Sequence, residues 1–299
     1  MKFLVFGSMN IDRVYTLAHL PEKGETLSCQ KYEIHVGGKG LNQSVSLAKS
    51  GAEVYMAGFI GQDGRFLADY LGKAGVDTSM IKTTDGFSGH AVIEVDAEGQ
   101  NQMILFPGAN REITPDYCDS VLESFDEGDL VLLQYETSQV EYMIEKAHAK
   151  GMKVAINPSP FVEKLIDFDY SNVDYLILNE FEGQSIAGET DIKATVKKLI
   201  EKLCGGAVIL TLGGDGAIYA DSDCFVQVPA FKVTAVDTTG AGDTFTGYCL
   251  TALLNGKTPE EALTTASAAS ALVVTKSGAA ETIPEKDAVA DFLNKNTLK

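Results

Sequence analysis

The chain has 299 residues, 45% of them hydrophobic, and a mean hydropathy near zero, so it can bury a sizeable core as one large α/β domain or two ordinary ones. Its net charge of −18 and pI of about 4.6 argue against a nucleic-acid partner or an anionic membrane surface. With only Arg13, Arg65 and Arg111 as arginines, a phosphate-bearing ligand would be gripped by backbone amides, a lysine or two and a bound cation.

Residues 2–7 read as a buried parallel strand. The following Gly7-Ser8-Met9-Asn10 lacks the second and third glycines of a dinucleotide-binding turn, which argues against a nicotinamide dehydrogenase. Asn10 and Asp12 fall just past the strand's carboxyl end, where open α/β sheets bind ligands, although an Asx turn accounts for them equally well. Residues 15–36 form a polar, strand-like stretch broken by Pro21 and Gly24, a short sheet outside the main alternation. Gly37-Gly38-Lys39-Gly40-Leu41-Asn42-Gln43-Ser44 then opens a helix ending near Gly51. It suits a polyol or anion, or is simply a glycine-rich helix start; its spacing is not that of a Walker A loop.

Next come a strand at 53–60, a helix at 64–74, an extended piece at 77–83 and a hairpin of 90–95 with 103–106. A regular βα rhythm follows: strand 130–134, helix 140–150, strand 153–157, then strand 175–178 running into Asn179-Glu180-Phe181-Glu182. Helix 192–203, strand 207–212 and antiparallel additions at 216–220 and 225–228 continue it. An apolar, β-prone run at 231–236, helices at 242–255 and 259–275, a turn at 277–278 and a helix at 285–293 complete the chain. The pattern predicts an α/β fold with a doubly wound, mostly parallel sheet covered by helices on both faces.

The stretch Val236-Asp237-Thr238-Thr239-Gly240-Ala241-Gly242-Asp243-Thr244-Phe245 carries the strongest chemical signal. A helix that starts on small residues offers free N–H groups and a favourable dipole to an anion. Asp243 in the first turn is either a helix cap or a base that takes a proton from an attacking hydroxyl. Asn10, Asp12, Glu136, Asn179, Glu182, Thr211, Gly213 and this turn all follow strands and should converge on one sheet edge, which favours phosphate chemistry with a divalent metal. Five scattered cysteines without a C-x-x-C pair predict reduced thiols in a cytoplasmic protein, and four histidines without ligand spacing predict no zinc site. No signal peptide or membrane span is expected.

Asp237-Thr238-Thr239-Gly240-Ala241-Gly242-Asp243 resembles the C-terminal signature of the ribokinase-like sugar kinases, the PfkB family, and Gly37 to Gln43 resembles their N-terminal one. Further anchors lie at 7–12, 21–26, 107–110, 179–182, 211–213 and 276–279. The resemblance implies one ribokinase-like α/β domain over 1–299, with a lid built from 13–35 and 88–106 that pairs two subunits into a homodimer. It implies transfer of the γ-phosphoryl group of ATP to the primary 5-hydroxyl of D-ribose, with Asp243 as general base. Another sugar, a sugar acid or a nucleoside as acceptor is the alternative within the family, and a non-catalytic sugar-binding protein lies further off. Asn10, Asp12, Gly38, Lys39, Asn42 and Glu136 would hold the sugar together with Asp243. Asn179, Thr211, Leu212, Gly213, Gly214, Asp215, Gly216 and Ser267, with Gly242 and Asp243, would contact ATP. Gly240, Ala241 and Gly242 would form the anion hole. Glu182 would organise Mg²⁺ through water. Asp237, Thr239, Val273, Lys276, Gly278 and Thr282 would surround a monovalent cation, K⁺. Three residues depart from the family pattern: Leu178 in place of a common proline, Tyr248 in place of a small residue, and the polar Glu94 in the lid, which alternation points away from the sugar.

Overall fold

The structure, a computed structural model, describes residues 1–296, so the last three positions of the expected 1–299 unit lie outside the described residues. In chain order, β1 (Lys2–Phe6) leads to β2 (Asn10–Thr16), β3 (Lys31–Gly37), α1 (Lys39–Ser50), β4 (Glu53–Ile60), α2 (Arg65–Lys73), β5 (Ile81–Thr83), β6 (Gly89–Val95), β7 (Asn101–Phe106) and α3 (Pro115–Leu122). Then come β8 (Leu130–Gln134), α4 (Val140–Ala149), β9 (Lys153–Asn157), β10 (Tyr175–Asn179), α5 (Glu180–Ala187), α6 (Ile192–Lys202) and β11 (Ala207–Thr211). The antiparallel pair β12 (Ala217–Ala220) and β13 (Phe225–Val228) precedes α7 (Ala241–Leu254), α8 (Pro259–Val273) and α9 (Lys286–Lys295).

Within these residues the main sheet runs β13-β12-β11-β10-β9-β8-β1-β4-β5, parallel except for β12 and β13. Its central strands are unbroken apolar runs such as LVLLQ in β8 and AVILT in β11, as burial on both faces demands. Helices α1, α2, α7, α8 and α9 cover one face, burying Leu41, Val45, Leu71, Phe245 and Leu263. Helices α3 to α6 cover the other with Tyr117, Met143, Ile186 and Leu199. β1 is flanked by β4 on one side and β8 on the other, so the winding reverses there and opens a crevice at the carboxyl ends of the strands. A second sheet, ordered β3-β2-β6-β7, is built from the segments on either side of α1, β4 and α2.

The sequence reading needs four corrections. Asn10 and Asp12 fall just past the end of β1 as expected, but the strand-like stretch expected from residue 15 already begins with them: they open β2, paired with Gly37 and His35 of β3. Helix α3 was not expected, yet Thr114 caps it by accepting from Tyr117 N–H and Pro115 occupies its first position. Helix α5 was read as the tail of a strand; Asn179 and Glu182 instead form a capping box that starts a helix on the last residue of β10. The run 231–236 forms no strand. Its main chain meets the residue that follows α8, Val236 N–H donating to Val274 O at 2.7 Å, and Phe231, Val233 and Ala235 wall a cavity instead.

Candidate active site

The glycines of 37–40 are set by close approach. A Cβ on Gly37 would lie 2.2 Å from Asp12 Oδ2, and one on Gly40 would lie 2.6 Å from Ser8 N, so α1 can press against the end of β1 only through glycine. Ser8 and Glu136 then tie α1 down. Ser8 Oγ donates to Glu136 Oε2, which also accepts from Lys39 N–H at 3.1 Å, and Ser8 O accepts from Leu41 N–H at 2.9 Å. The N-terminus of α1 is thus satisfied by the protein itself.

At the end of α1's first turn, Asn42 Nδ2 donates to Asp243 Oδ2 at 2.9 Å and Gln43 Nε2 donates to Asp243 Oδ1 at 2.9 Å. Asp243 is buried, as are both amides, and Asn42 Oδ1 has no partner among the described residues. A buried acceptor without a donor costs energy that a ligand hydroxyl would recover. Asn10 is held by Asn110, whose Nδ2 donates to Asn10 Oδ1 at 2.7 Å while its Oδ1 accepts from Met9 N–H at 3.2 Å.

Charge is concentrated here. Burial, then the neighbouring Glu136, push the Asp12 carboxyl up to about 7. Burial likewise raises Glu136, although Ser8 and Lys39 oppose it. Burial works against the Lys39 ammonium, but Asp243, Glu136 and Glu182 outweigh it and hold its pKa above the ordinary lysine value.

Helix α7 starts at Gly240, whose φ of 75° needs glycine. Ala241 N–H closes a turn onto Thr238 O at 3.3 Å; no main-chain acceptor among the described residues takes the N–H of Gly240 or Gly242. The end of α7 is the shared wall of two cavities. One is lined by Lys39, Asn157, Asn179, Glu182, Gly240 and Asp243, with Thr211, Gly213 and Gly242 at the junction. The other continues from that junction past Gly214, Gly216, Phe231, Val233 and Ser267. Leu212 borders a shallow groove beside Asn179, and Asp215 lies on a short helical turn lining none of these spaces.

Glu182 is buried, and one of its oxygens accepts from Asn179 N–H at 3.0 Å in the capping box. Its place in a cavity with Asp243 fits a divalent cation held through water. The other expected cation residues gather behind Gly240. Asp237 Oδ1 accepts from Thr239 N–H at 2.9 Å and its hydroxyl at 2.7 Å, and Oδ2 accepts from Gly278 N–H at 3.0 Å. Burial alone would raise this carboxyl, but those donors hold it below its ordinary value. Val273 O accepts from Lys276 N–H and Gly278 O from the Thr282 hydroxyl, each at 3.0 Å. A Cβ on Gly240 would come within 3.2 Å of Ala279, so this loop abuts the helix start. Carbonyls keep a second lone pair, so the donor set suits a weakly held monovalent ion.

Ser8, Gln43 and Asn110 were not singled out as site residues from the sequence. All three sit in stretches quoted as anchors, but their partners lie about 100 to 200 positions away, beyond any local signal.

Comparison with known proteins agrees with this geometry. The model of the pfkB family carbohydrate kinase matches residues 1–286. A ribokinase from Haemophilus influenzae is 35% identical over 303 residues, covering 97% of each chain. Among solved structures, a ribokinase from Thermotoga maritima has a TM-score of 0.87 at 34% identity, over 98% of this chain and 99% of that one. An Arabidopsis thaliana ribokinase complexed with ribose and ATP has a TM-score of 0.85 at 28% identity, over 97% and 98%.

Proposed function

The chain belongs to the pfkB family of carbohydrate kinases, and from that premise we propose that it transfers the γ-phosphoryl group of ATP to the primary 5-hydroxyl of D-ribose. The observation that carries this reading is the position of Asp243. Its carboxylate is gripped by two amides at the start of α7, where two cavities meet beside the open N–H groups of Gly240 and Gly242.

The sugar occupies the space bounded by Asn10, Asp12, Gly38, Lys39, Asn42 and Glu136, whose mix of acceptors and donors matches a ring of hydroxyls. ATP lies along Asn179, the 211–216 turn and Ser267, its phosphates directed at α7. Asp243 takes the proton of the sugar hydroxyl as that oxygen bonds to the γ-phosphorus and the bond to the ADP oxygen breaks. The amides of Gly240 and Gly242, with the α7 dipole, face the charge on the transferring group, and Ala241 shapes the turn that presents them. Glu182 would hold Mg²⁺ through water, which would supply charge neutralisation at the phosphates, and the 237–239 and 273–282 loops would hold a monovalent cation beside the helix start. Such ions would compensate for the scarcity of arginine. The second sheet, 13–35 and 88–106, acts as lid, and its exposed Met103, Ile104, Leu105 and Phe106 form the contact with a second copy. Net charge and unpaired cysteines suit a cytoplasmic enzyme.

The test is ADP release from ATP and Mg²⁺ over a panel of ribose, 2-deoxyribose, fructose, a sugar acid and nucleosides, with and without K⁺. Ribose should give the highest kcat/KM, and K⁺ should raise it. A nucleoside or hexose turned over faster than ribose would refute the substrate assignment.

A further inference from the structure

We propose that Gln43 is a positioning residue that orients the Asp243 carboxylate for proton abstraction through a directed chain of buried amides. The proposal rests on the reading of Asp243 as the base.

Gln43 is completely buried on α1, and every polar atom of its side chain is spent. Its Nε2 donates to Asp243 Oδ1 at 2.9 Å and to Asn157 Oδ1 at 3.1 Å, while its Oε1 accepts from Gln134 Nε2 at 2.6 Å. Rotating the amide by half a turn would set an oxygen against two oxygens and leave Gln134 without an acceptor, so the orientation is fixed. The chain continues outward: Asn157 Nδ2 donates to Ile177 O at 2.9 Å, and Gln134, completely buried, ends β8. Gln134 and Asn157 are each the last residue of their strands, β8 and β9. The scaffold that sets their position is the rigid sheet.

Buried side-chain amides stabilise a core no better than an apolar side chain of the same shape, unless they serve a polar end point. Here the end point is a carboxylate. Asn42 bonds the other Asp243 oxygen but keeps an unpartnered Oδ1 for a ligand, so it divides its work between base and substrate. Gln43 has nothing left for a ligand and acts through Asp243 and Asn157. Each carboxylate oxygen then holds one amide hydrogen, and the plane of the group is set while a lone pair remains for the hydroxyl proton. Lys39 on α1, Glu136 after β8 and Glu182 on α5 are the charged groups facing Asp243, and replacing Gln43 changes none of them.

Gln43→Met keeps length and apolar volume but removes the donor. It should lower kcat on the order of 10- to 100-fold, the usual cost of a misplaced reacting group, with KM for ribose unchanged. Gln134→Met, one link further out, should lower kcat by less, again with KM unchanged, and it serves as the test if Gln43→Met does not fold. A folded Gln43→Met enzyme with wild-type kcat would overturn the proposal. So would a loss of kcat matched by a rise in KM, since that is a structural defect. Asp243→Asn separates the two layers: if it turns over normally, the base assignment fails; if it is inactive while Gln43→Met is normal, only the positioning role fails.

Discussion

At the scale of single residues, the site holds carboxylates in surroundings that oppose their charge. Asp12 is half-buried beside Glu136 with its carboxyl lifted to about 7 from an ordinary 3.8. A carboxyl that binds its proton more tightly when folded contributes stability that is complete below about 3.8 and is lost as pH rises through about 7. Asp12→Asn removes that titration. Urea unfolding should therefore show the variant gaining on the wild type between pH 5 and pH 8 by on the order of 2 kcal/mol. The same substitution should raise KM for ribose. An equal offset at both pH values would show that Asp12 is not held in this state. The sequence marked Asp12, Asn42 and Asp243 through their motifs, but not Ser8, Gln43 and Asn110. A buried polar side chain is identified by what it touches, and Gln43 meets Asp243 across 200 positions.

At the scale of elements, strands were legible where burial on both faces leaves an uninterrupted apolar word. β4, β8 and β9 occupy the ranges expected for them. Helix α5 was not legible because its eight residues, EFEGQSIA, include a glycine and three charged or amide side chains with no apolar stripe. Its capping box is visible only once the strand before it is known to stop at Asn179. The run 231–236 misled for the opposite reason: its apolar residues face a cavity rather than a neighbouring strand. Tyr248, a departure from the family pattern, acts at this scale too. Buried on α7, it donates to Pro284 O at 2.7 Å and so links the helix that carries Asp243 to the segment that follows the expected cation loop. Tyr248→Phe leaves that carbonyl unmet and should cost about 1–2 kcal/mol in urea unfolding. A neutral result would mean the segment is held by Lys49, whose Nζ donates to Ile283 O at 2.7 Å.

At the scale of the whole molecule, a chain of charge −18 binds a highly anionic nucleotide, which it can do only by focusing positive potential on one point. In the proposed function the α7 terminus and Lys39, with the cations the site would hold, supply it. The second sheet leaves β3 and β7 as edges, and β7 is exposed along its whole length with Met103, Ile104, Leu105 and Phe106. Such an edge needs a partner or charge to stay soluble. If the proposed pairing runs through this edge, light scattering should show a dimer of the 32.0 kDa chain for the wild type and a monomer for Ile104→Asp; a monomeric wild type or an unchanged mass would contradict it. The proposed role of Asp243, where the sheet edge meets the start of α7, is tested most directly by measuring ribose-dependent ADP release and ribose binding together in Asp243→Asn. Turnover should fall by at least about 1,000-fold, within the range expected when a general base is lost, while calorimetry still detects ribose binding. Turnover close to that of the wild type would contradict the account.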